Sequence, residues 1–333
     1  MKKHKYTKEF VFYAVILILV LVMLYSGLQI LESTVLYHGQ NAEPTIASKS
    51  ITVDGVEYFP RQDITVVLFM GIDRFGPVES SNFYTNTGAA DVDVLLIMND
   101  TEKTVHMLYL NRDTMLEMPV LGIGGNQAGT YFGQLALAHT YGSGLEDSCE
   151  NTRDAISKFL RGVQIDYYVS MNMDAIGILN DAVGGVTVTV RDDFSAVDES
   201  LTYPNITMGE VTLMGQQAIN YVRTRKDVGD QLNLTRIERQ KDYIGGFSDA
   251  LRNQYEANPE FILSVYKEVQ PYIVTNCSDK AFNSLFNKYA SYEIGQILSP
   301  KGNNVMGEKY FEFYADEDDL LRITLDLFYA PKQ

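Results

Sequence analysis

The stretch Ile64–Asp73, ITVVLFMGID, is an unbroken apolar run rich in β-branched residues that ends at Gly71 and a carboxylate, Asp73. A run without alternation reads as a strand covered on both faces, with Asp73 delivered to its C-terminal edge. Working outward, VDVLLIMN and TVHMLYLNRD, separated by Asp100–Lys103, read as two adjacent strands. Asp91 precedes the first, and Asn111-Arg112-Asp113 ends the second. Asp147–Leu160 has helical spacing, Ile165–Met171 reads as a strand, and the apolar helix Met173–Val183 is stopped by Gly184-Gly185 before the strand VTVTV. A short helix over Met214–Tyr221 and a long one over Leu234–Tyr255 follow, the latter despite the poor helix formers Gly245-Gly246. Glu260–Val269, Lys280–Tyr289 and Asp316–Leu327 read as helices, with short strands near Tyr292–Leu298 and Tyr310–Tyr314. Pro119–Gly133 and residues 191–212 show no regular period. Strands interleaved with helices, and no linker between residues 60 and 333, predict one α/β domain.

The N-terminus speaks to location. MKKHKYTKE is basic, and Phe10–Leu31 then gives 22 residues without a charge. At about 1.5 Å per residue this helix spans a hydrocarbon core of roughly 30 Å. Residues 1–9 therefore read as a cytoplasmic tail, 10–31 as a single transmembrane helix and 32–59 as a stalk with a small hairpin at Asp54-Gly55. The α/β domain, residues 60–333, is then extracytoplasmic, held at the cell membrane. With 27 basic against 43 acidic side chains, net −16, the chain lacks the basic footprint of nonspecific nucleic-acid binding. Cys149 and Cys277 form no metal-binding pattern and read as separate buried thiols, although an extracytoplasmic setting leaves pairing open.

Within this acidic chain, Tyr221–Gln240, YVRTRKDVGDQLNLTRIERQ, is a basic island with a local balance of +2. If YVRTR is extended, Arg223 and Arg225 share a face. If LTRIERQ opens a helix, Arg236 and Gln240 share a stripe near an N-terminal end that favours anions. Guanidinium forks match phosphate oxygens bidentately, so convergence here suits a phosphate ligand; a solvated charged helix face is the competing reading. Asp73 and Asp91, each at a strand edge, are the candidate metal pair, because Mg²⁺ takes one or two protein carboxylates together with substrate phosphate and water. Ordinary turn or cap aspartates would look the same. The kinase catalytic-loop look of NRDTMLEMP fails for want of a Gly-rich phosphate loop. His139 reads as a satisfied, partly buried histidine.

Taken in order behind one apolar segment, VVLFMGIDR, an Asp before a strand, LYLNRDT, IDYYVSMNMDAIGILNDAVGGVTVTV and YVRTR…R…RQ resemble the LytR–CpsA–Psr family. The likeness covers Ile64–Phe247 well and the remainder more loosely. It implies a central mixed β-sheet flanked by helices and enclosing an apolar tunnel, here lined in part by Met173–Val183 and Tyr243–Leu251. It also implies a phosphotransferase that moves an anionic glycopolymer, such as teichoic acid or capsule, from an undecaprenyl-pyrophosphate carrier to a peptidoglycan hydroxyl, with Mg²⁺ or Mn²⁺. By that resemblance Asp73 and Asp91 hold the metal, while Arg112, Arg223, Arg225, Arg236 and Gln240 bind the pyrophosphate.

The chain departs from the family pattern in three places. Ala89-Ala90-Asp91 stands where Arg-Ser-Asp is usual, removing a phosphate-binding arginine for which Arg74 is a candidate substitute. Asn233 stands where an aspartate often precedes the RQ pair, which leaves Asp230 as the nearby candidate general base. Gln134-Leu135-Ala136 replaces the usual Lys-Ile-Asn. Two other functions stay open at this level: a non-catalytic polyprenyl-phosphate-binding protein, and a pyrophosphatase acting on the lipid carrier.

Overall fold

The computed structural model describes residues 50–83, 85–122, 126–195, 206–224, 228, 233–258, 261–278, 281, 284–285, 288–289 and 292–332, with positions 233–238, 241, 248, 262–263 and 266 described by backbone alone. Among the described residues no helix is long and apolar enough to cross a membrane, and the expected span Phe10–Leu31 lies outside them.

The chain opens with a hairpin of β1 (Ile51–Val53) and β2 (Val56–Pro60), turned at Asp54-Gly55, both with positive φ, as a two-residue turn matched to strand twist requires. The strands β3 (Ile64–Ile72), β4 (Ala90–Asn99) and β5 (Thr104–Leu110) form an antiparallel meander. A hairpin of β6 (Met115–Leu121) and β7 (Gln127–Gln134) leads to the helix α1 (Glu146–Phe159). Next come β8 (Tyr167–Asn172), which runs parallel to β3, α2 (Asp174–Ala182), and a hairpin of β9 (Val186–Val190) and β10 (Gly209–Leu213). The helices α3 (Gln216–Arg223), α4 (Asn233–Ala257) and α5 (Phe261–Val269) precede the strands β11 (Ile273–Thr275) and β12 (Glu293–Leu298). A hairpin of β13 (Gly302–Met306) and β14 (Phe311–Ala315), the helix α6 (Glu317–Phe328) and β15 (Tyr329–Pro331) complete the chain.

The central sheet has six strands in the order β11-β8-β3-β4-β5-β12 and is mixed, with β3–β8 and β5–β12 parallel and its other pairs antiparallel. Its middle strand is the apolar run Ile64–Ile72, and side-chain alternation shows why that run has no polar positions. Val66, Leu68, Met70 and Ile72 pack with residues of α1 and α6, including Ile156, Ile323 and Leu327. Val67 packs on the opposite face with Leu179 of α2, Tyr221 of α3, Tyr243 of α4 and Val265 of α5. Both faces are thus covered by helices.

Three expectations need correction. Pro119–Gly133 is not loop throughout, since much of it lies in β6 and β7. β7 is exposed over most of its length, so no buried alternation marks it in the sequence. β10 and β13 went unread for the same reason, being mostly exposed strands in two-stranded hairpins. Finally, Tyr221–Arg223 close α3, so Arg223 lies on a helix end rather than on a strand shared with Arg225.

Gly245-Gly246 does not break α4, and close packing accounts for Gly246. A Cβ there would stand closer to the Thr187 carbonyl oxygen than van der Waals contact allows, and 2.9 Å from Val186 Cγ1. The glycine lets the helix lie directly on β9. Gly246→Ala gains helix propensity of about 1 kcal/mol but forces overpacking worth about 1–3 kcal/mol, so a lowered melting temperature is expected in calorimetry. An unchanged or higher one would show that α4 tilts away freely.

Candidate active site

The register of β3 and β4 shifts at the site. Gly71 pairs with Val92, but Ile72 pairs with Ala90, which leaves Asp91 as the extra residue of a bulge. A bulge unpairs one residue and re-aims its side chain. Just beyond it the Asp73 N–H donates to the Ala89 carbonyl at 2.9 Å, so the backbones of the two aspartate-bearing segments stay paired.

Arg112 arrives from β5. Its NH1 donates to Asp91 Oδ1 at 2.5 Å, and its Nε stands 3.5 Å from Asp113 Oδ1. It is carried on a turn in which the Asn111 side chain accepts from the Asp113 N–H at 3.0 Å and Thr114 Oγ1 donates to the Asn111 carbonyl at 2.6 Å. The Gln134 amide also donates to Asp113 at 3.0 Å.

Arg223, the last residue of α3, reaches across to Asp73, with NH2 to Oδ1 at 2.9 Å, and its guanidinium lies 5.3 Å from the centre of the Phe75 ring. The loop carrying Phe75 is pinned to the start of α2, where Asp174 accepts from the Gly76 N–H at 2.6 Å and Asn172 donates to the Gly76 carbonyl at 2.9 Å. Residues 150 positions apart along the chain thereby meet.

Two residues of α4 hold the end of α3 in place. Arg239, 5% exposed, donates from Nε to the Tyr221 carbonyl at 3.0 Å, from NH1 to Asp192 at 2.7 Å, and from NH2 to the Thr224 carbonyl. These are carbonyls that a helix C-terminus leaves unpaired. Gln240 Nε2 donates to the Val222 carbonyl at 3.1 Å. The sequence reading gave Arg239 no role; its signal was its place four residues before Tyr243, on the buried stripe of the helix. Arg236 lies on the same helix as Gln240 at the expected spacing, with its side chain outside the described residues. Arg225 and the candidate base Asp230 also lie outside them.

The LytR_cpsA_psr family profile matches residues 29–326. The chain belongs to that family. It is 26% identical to the polyisoprenyl-teichoic acid–peptidoglycan teichoic acid transferase TagU of Bacillus licheniformis, over 96% of this chain and 95% of that protein. Among solved structures, it resembles protein gbs0355 from Streptococcus agalactiae, with a TM-score of 0.64 at 24% identity over 80% of this chain and 86% of that one. It also resembles a structure of TagT bound to LIIa-WTA, with a TM-score of 0.58 at 22% identity over 86% and 96%. These likenesses show the fold.

As to a metal, among the described residues no three His, Cys, Asp or Glu side chains gather closely enough to hold an ion alone. Asp73 and Asp91, on paired backbone segments, offer two carboxylates, which fits an Mg²⁺ or Mn²⁺ completed by phosphate oxygens and water. Two residues past Asp91 stands Asp93, 1% exposed, and burial pushes its carboxyl well above the usual range, with the charge of Asp91 adding to the rise and Arg112 opposing it. In this LytR_cpsA_psr chain the expected apolar lining is packed, with Leu179, Val183, Tyr243, Phe247 and Leu251 buried in one cluster.

His139 is structural, as its sequence context suggests. Its Nδ1 pairs with the Gly88 carbonyl at 2.8 Å, and burial lowers its pKa to about 4. Its neighbour Cys149, at 3.9 Å, is pushed up to about 12 by burial, so the pair is a neutral thiol and a neutral imidazole. Both cysteines are buried and neither is in a disulfide.

Two outcomes follow for measurement. Arg239→Ala leaves Asp192 and two helix-end carbonyls without their donor and should cost about 3–5 kcal/mol in denaturant unfolding, whereas a loss below about 1 kcal/mol would remove the clamp assignment. His139 binds its proton less readily folded than unfolded, so its contribution is complete above pH 6.5 and is lost as pH falls toward 4, up to about 3 kcal/mol. The stability–pH curve of His139→Gln, subtracted from wild type, should show this loss; parallel curves would contradict it.

Proposed function

We propose that this chain is a membrane-anchored phosphotransferase that moves an anionic glycopolymer from an undecaprenyl-pyrophosphate carrier to a hydroxyl of peptidoglycan. The observation that carries the reading is the convergence of Arg112 on Asp91 and Arg223 on Asp73 at the ends of the central strands β3 and β4. These two ion pairs, on backbone segments hydrogen-bonded to each other, hold charges that an incoming diphosphate and cation can take over pairwise. The similarity to TagU over nearly all of both chains supports the same class of reaction.

In this reading the acceptor hydroxyl oxygen attacks the phosphorus next to the sugar. The bond from that phosphorus to the bridging oxygen breaks, undecaprenyl phosphate leaves, and the hydroxyl proton passes to a base, for which Asp230 remains the candidate. Arg112 and Arg223 bind non-bridging oxygens and stabilise charge on the leaving phosphate, with Arg225 and Arg236 assigned to the same anion. Gln240 and Arg239 fix the end of α3 and so aim Arg223. A bound Mg²⁺ or Mn²⁺ at Asp73 and Asp91 would neutralise diphosphate charge. The polyprenyl tail belongs in the apolar layer between α2, α4 and the sheet, whose packed side chains it must part. In the same reading the apolar span at 10–31 is the anchor and this domain works on the outer side of the cell membrane, near carrier and acceptor.

The test is transfer from a lipid-diphosphate donor to a peptidoglycan fragment by the full-length chain in detergent. Asp73→Ala and Arg223→Ala should each lower turnover by about 100-fold or more. Wild-type turnover in both variants would refute these roles, and phosphate release without an acceptor would favour the pyrophosphatase.

A further inference from the structure

Asp93 is an anomaly that the proposed reaction does not use. Among the described residues neither of its carboxyl oxygens has a hydrogen-bond partner, although the side chain is 1% exposed. An orphaned buried carboxyl is costly enough to call for a reason. A second orphan stands close by in the register. Arg112 Nε is buried without a hydrogen bond, because its contact with Asp113 at 3.5 Å is too long to serve as one.

The sheet explains their proximity. Asp93 pairs with Leu110 across β4 and β5. Leu110 ends β5, and two residues on Arg112 stands in the Asn111–Thr114 turn with its NH1 on Asp91, two residues before Asp93 in β4. The Arg112 charge acts on the Asp93 carboxyl, which places the guanidinium and the buried acid near one another. At present NH1 of Arg112 is committed to Asp91, the carboxylate assigned to the cation. Once Asp91 turns to a divalent ion, the guanidinium loses its main partner at the moment it must stay beside the diphosphate.

We propose that Asp93 is the second anchor of Arg112, accepting its Nε–H when Asp91 is drawn to a divalent cation. The exchange moves a hydrogen bond, not a covalent one, and a carboxyl oxygen accepts whether or not its partner oxygen carries a proton. Asp93 touches neither donor nor acceptor and is therefore a positioning residue. Its direction rests on the phosphotransferase reading, but the hand-over is measurable without turnover.

The experiment follows the Arg112 Nε–H by ¹⁵N NMR in the full-length chain, assigned by Arg112→Lys, with Mg²⁺ and inorganic pyrophosphate as probes. In wild type, Mg²⁺ with pyrophosphate should slow exchange of that proton with solvent. Asp93→Leu should abolish the slowing and weaken Mg²⁺-dependent pyrophosphate binding by about tenfold, without lowering the melting temperature. Asp93→Asn, which keeps an acceptor oxygen, should stay within about threefold of wild type. An unchanged wild-type signal on adding both probes overturns the proposal whatever the variants do. So does wild-type pyrophosphate affinity in a folded Asp93→Leu. Slowed exchange in a wild-type chain that transfers no polymer would leave the anchor standing while the function fell.

Discussion

The site depends on carboxylates and guanidiniums that neutralise one another before any ligand arrives. Asp73 pairs with Arg223 and Asp91 with Arg112, at the ends of two adjacent central strands. Both pairs are partly solvated, so neither contributes much to stability by itself. Their effect is arrangement. In the proposed reaction a diphosphate and a cation entering together would replace two existing pairings with equivalent ones, and the net charge of the site would be preserved.

Arrangement of this kind needs rigid supports, and they come from three directions. The bulge at Asp91 sets the carboxylate off the strand, while the Asn111–Thr114 turn presents Arg112 at the end of the neighbouring strand. The end of α3, which carries Arg223, is tied by Arg239 and Gln240 to a long helix that itself lies flat on β9 through Gly246. Buried charge is thus spent on structure at Arg239, leaving Arg223 partly exposed and able to meet a ligand.

Much of this was legible in the sequence. The apolar run Ile64–Ile72, the helices α1, α2, α4, α5 and α6, and the interleaving that makes an α/β domain all follow from burial, which leaves a periodic trace. The exposed strands β7, β10 and β13 left no such trace. At the site, Asp73 and Asp91 were chosen by position at strand ends, Arg223 by its place in the basic island and Arg112 by resemblance; Arg112 meets Asp91 and Arg223 meets Asp73. Arg239 escaped notice because its three donors go to backbone and to Asp192, partners a linear reading cannot place. Asp93 escaped because alternation along β4 marks it only as one more position on a covered face.

The pairing of β15 with β2 has a mechanical consequence. Tyr329–Pro331 is hydrogen-bonded along Tyr58–Pro60, Lys332 N–H donates to the Glu57 carbonyl at 2.8 Å, and Arg61 N–H to that of Phe328 at 2.9 Å. The two ends of the described domain are therefore stitched into one small ribbon outside the six-stranded sheet. Tension applied at residue 50 loads that ribbon and, through β15, the helix α6, before it reaches β3 and the acidic pair at its tip.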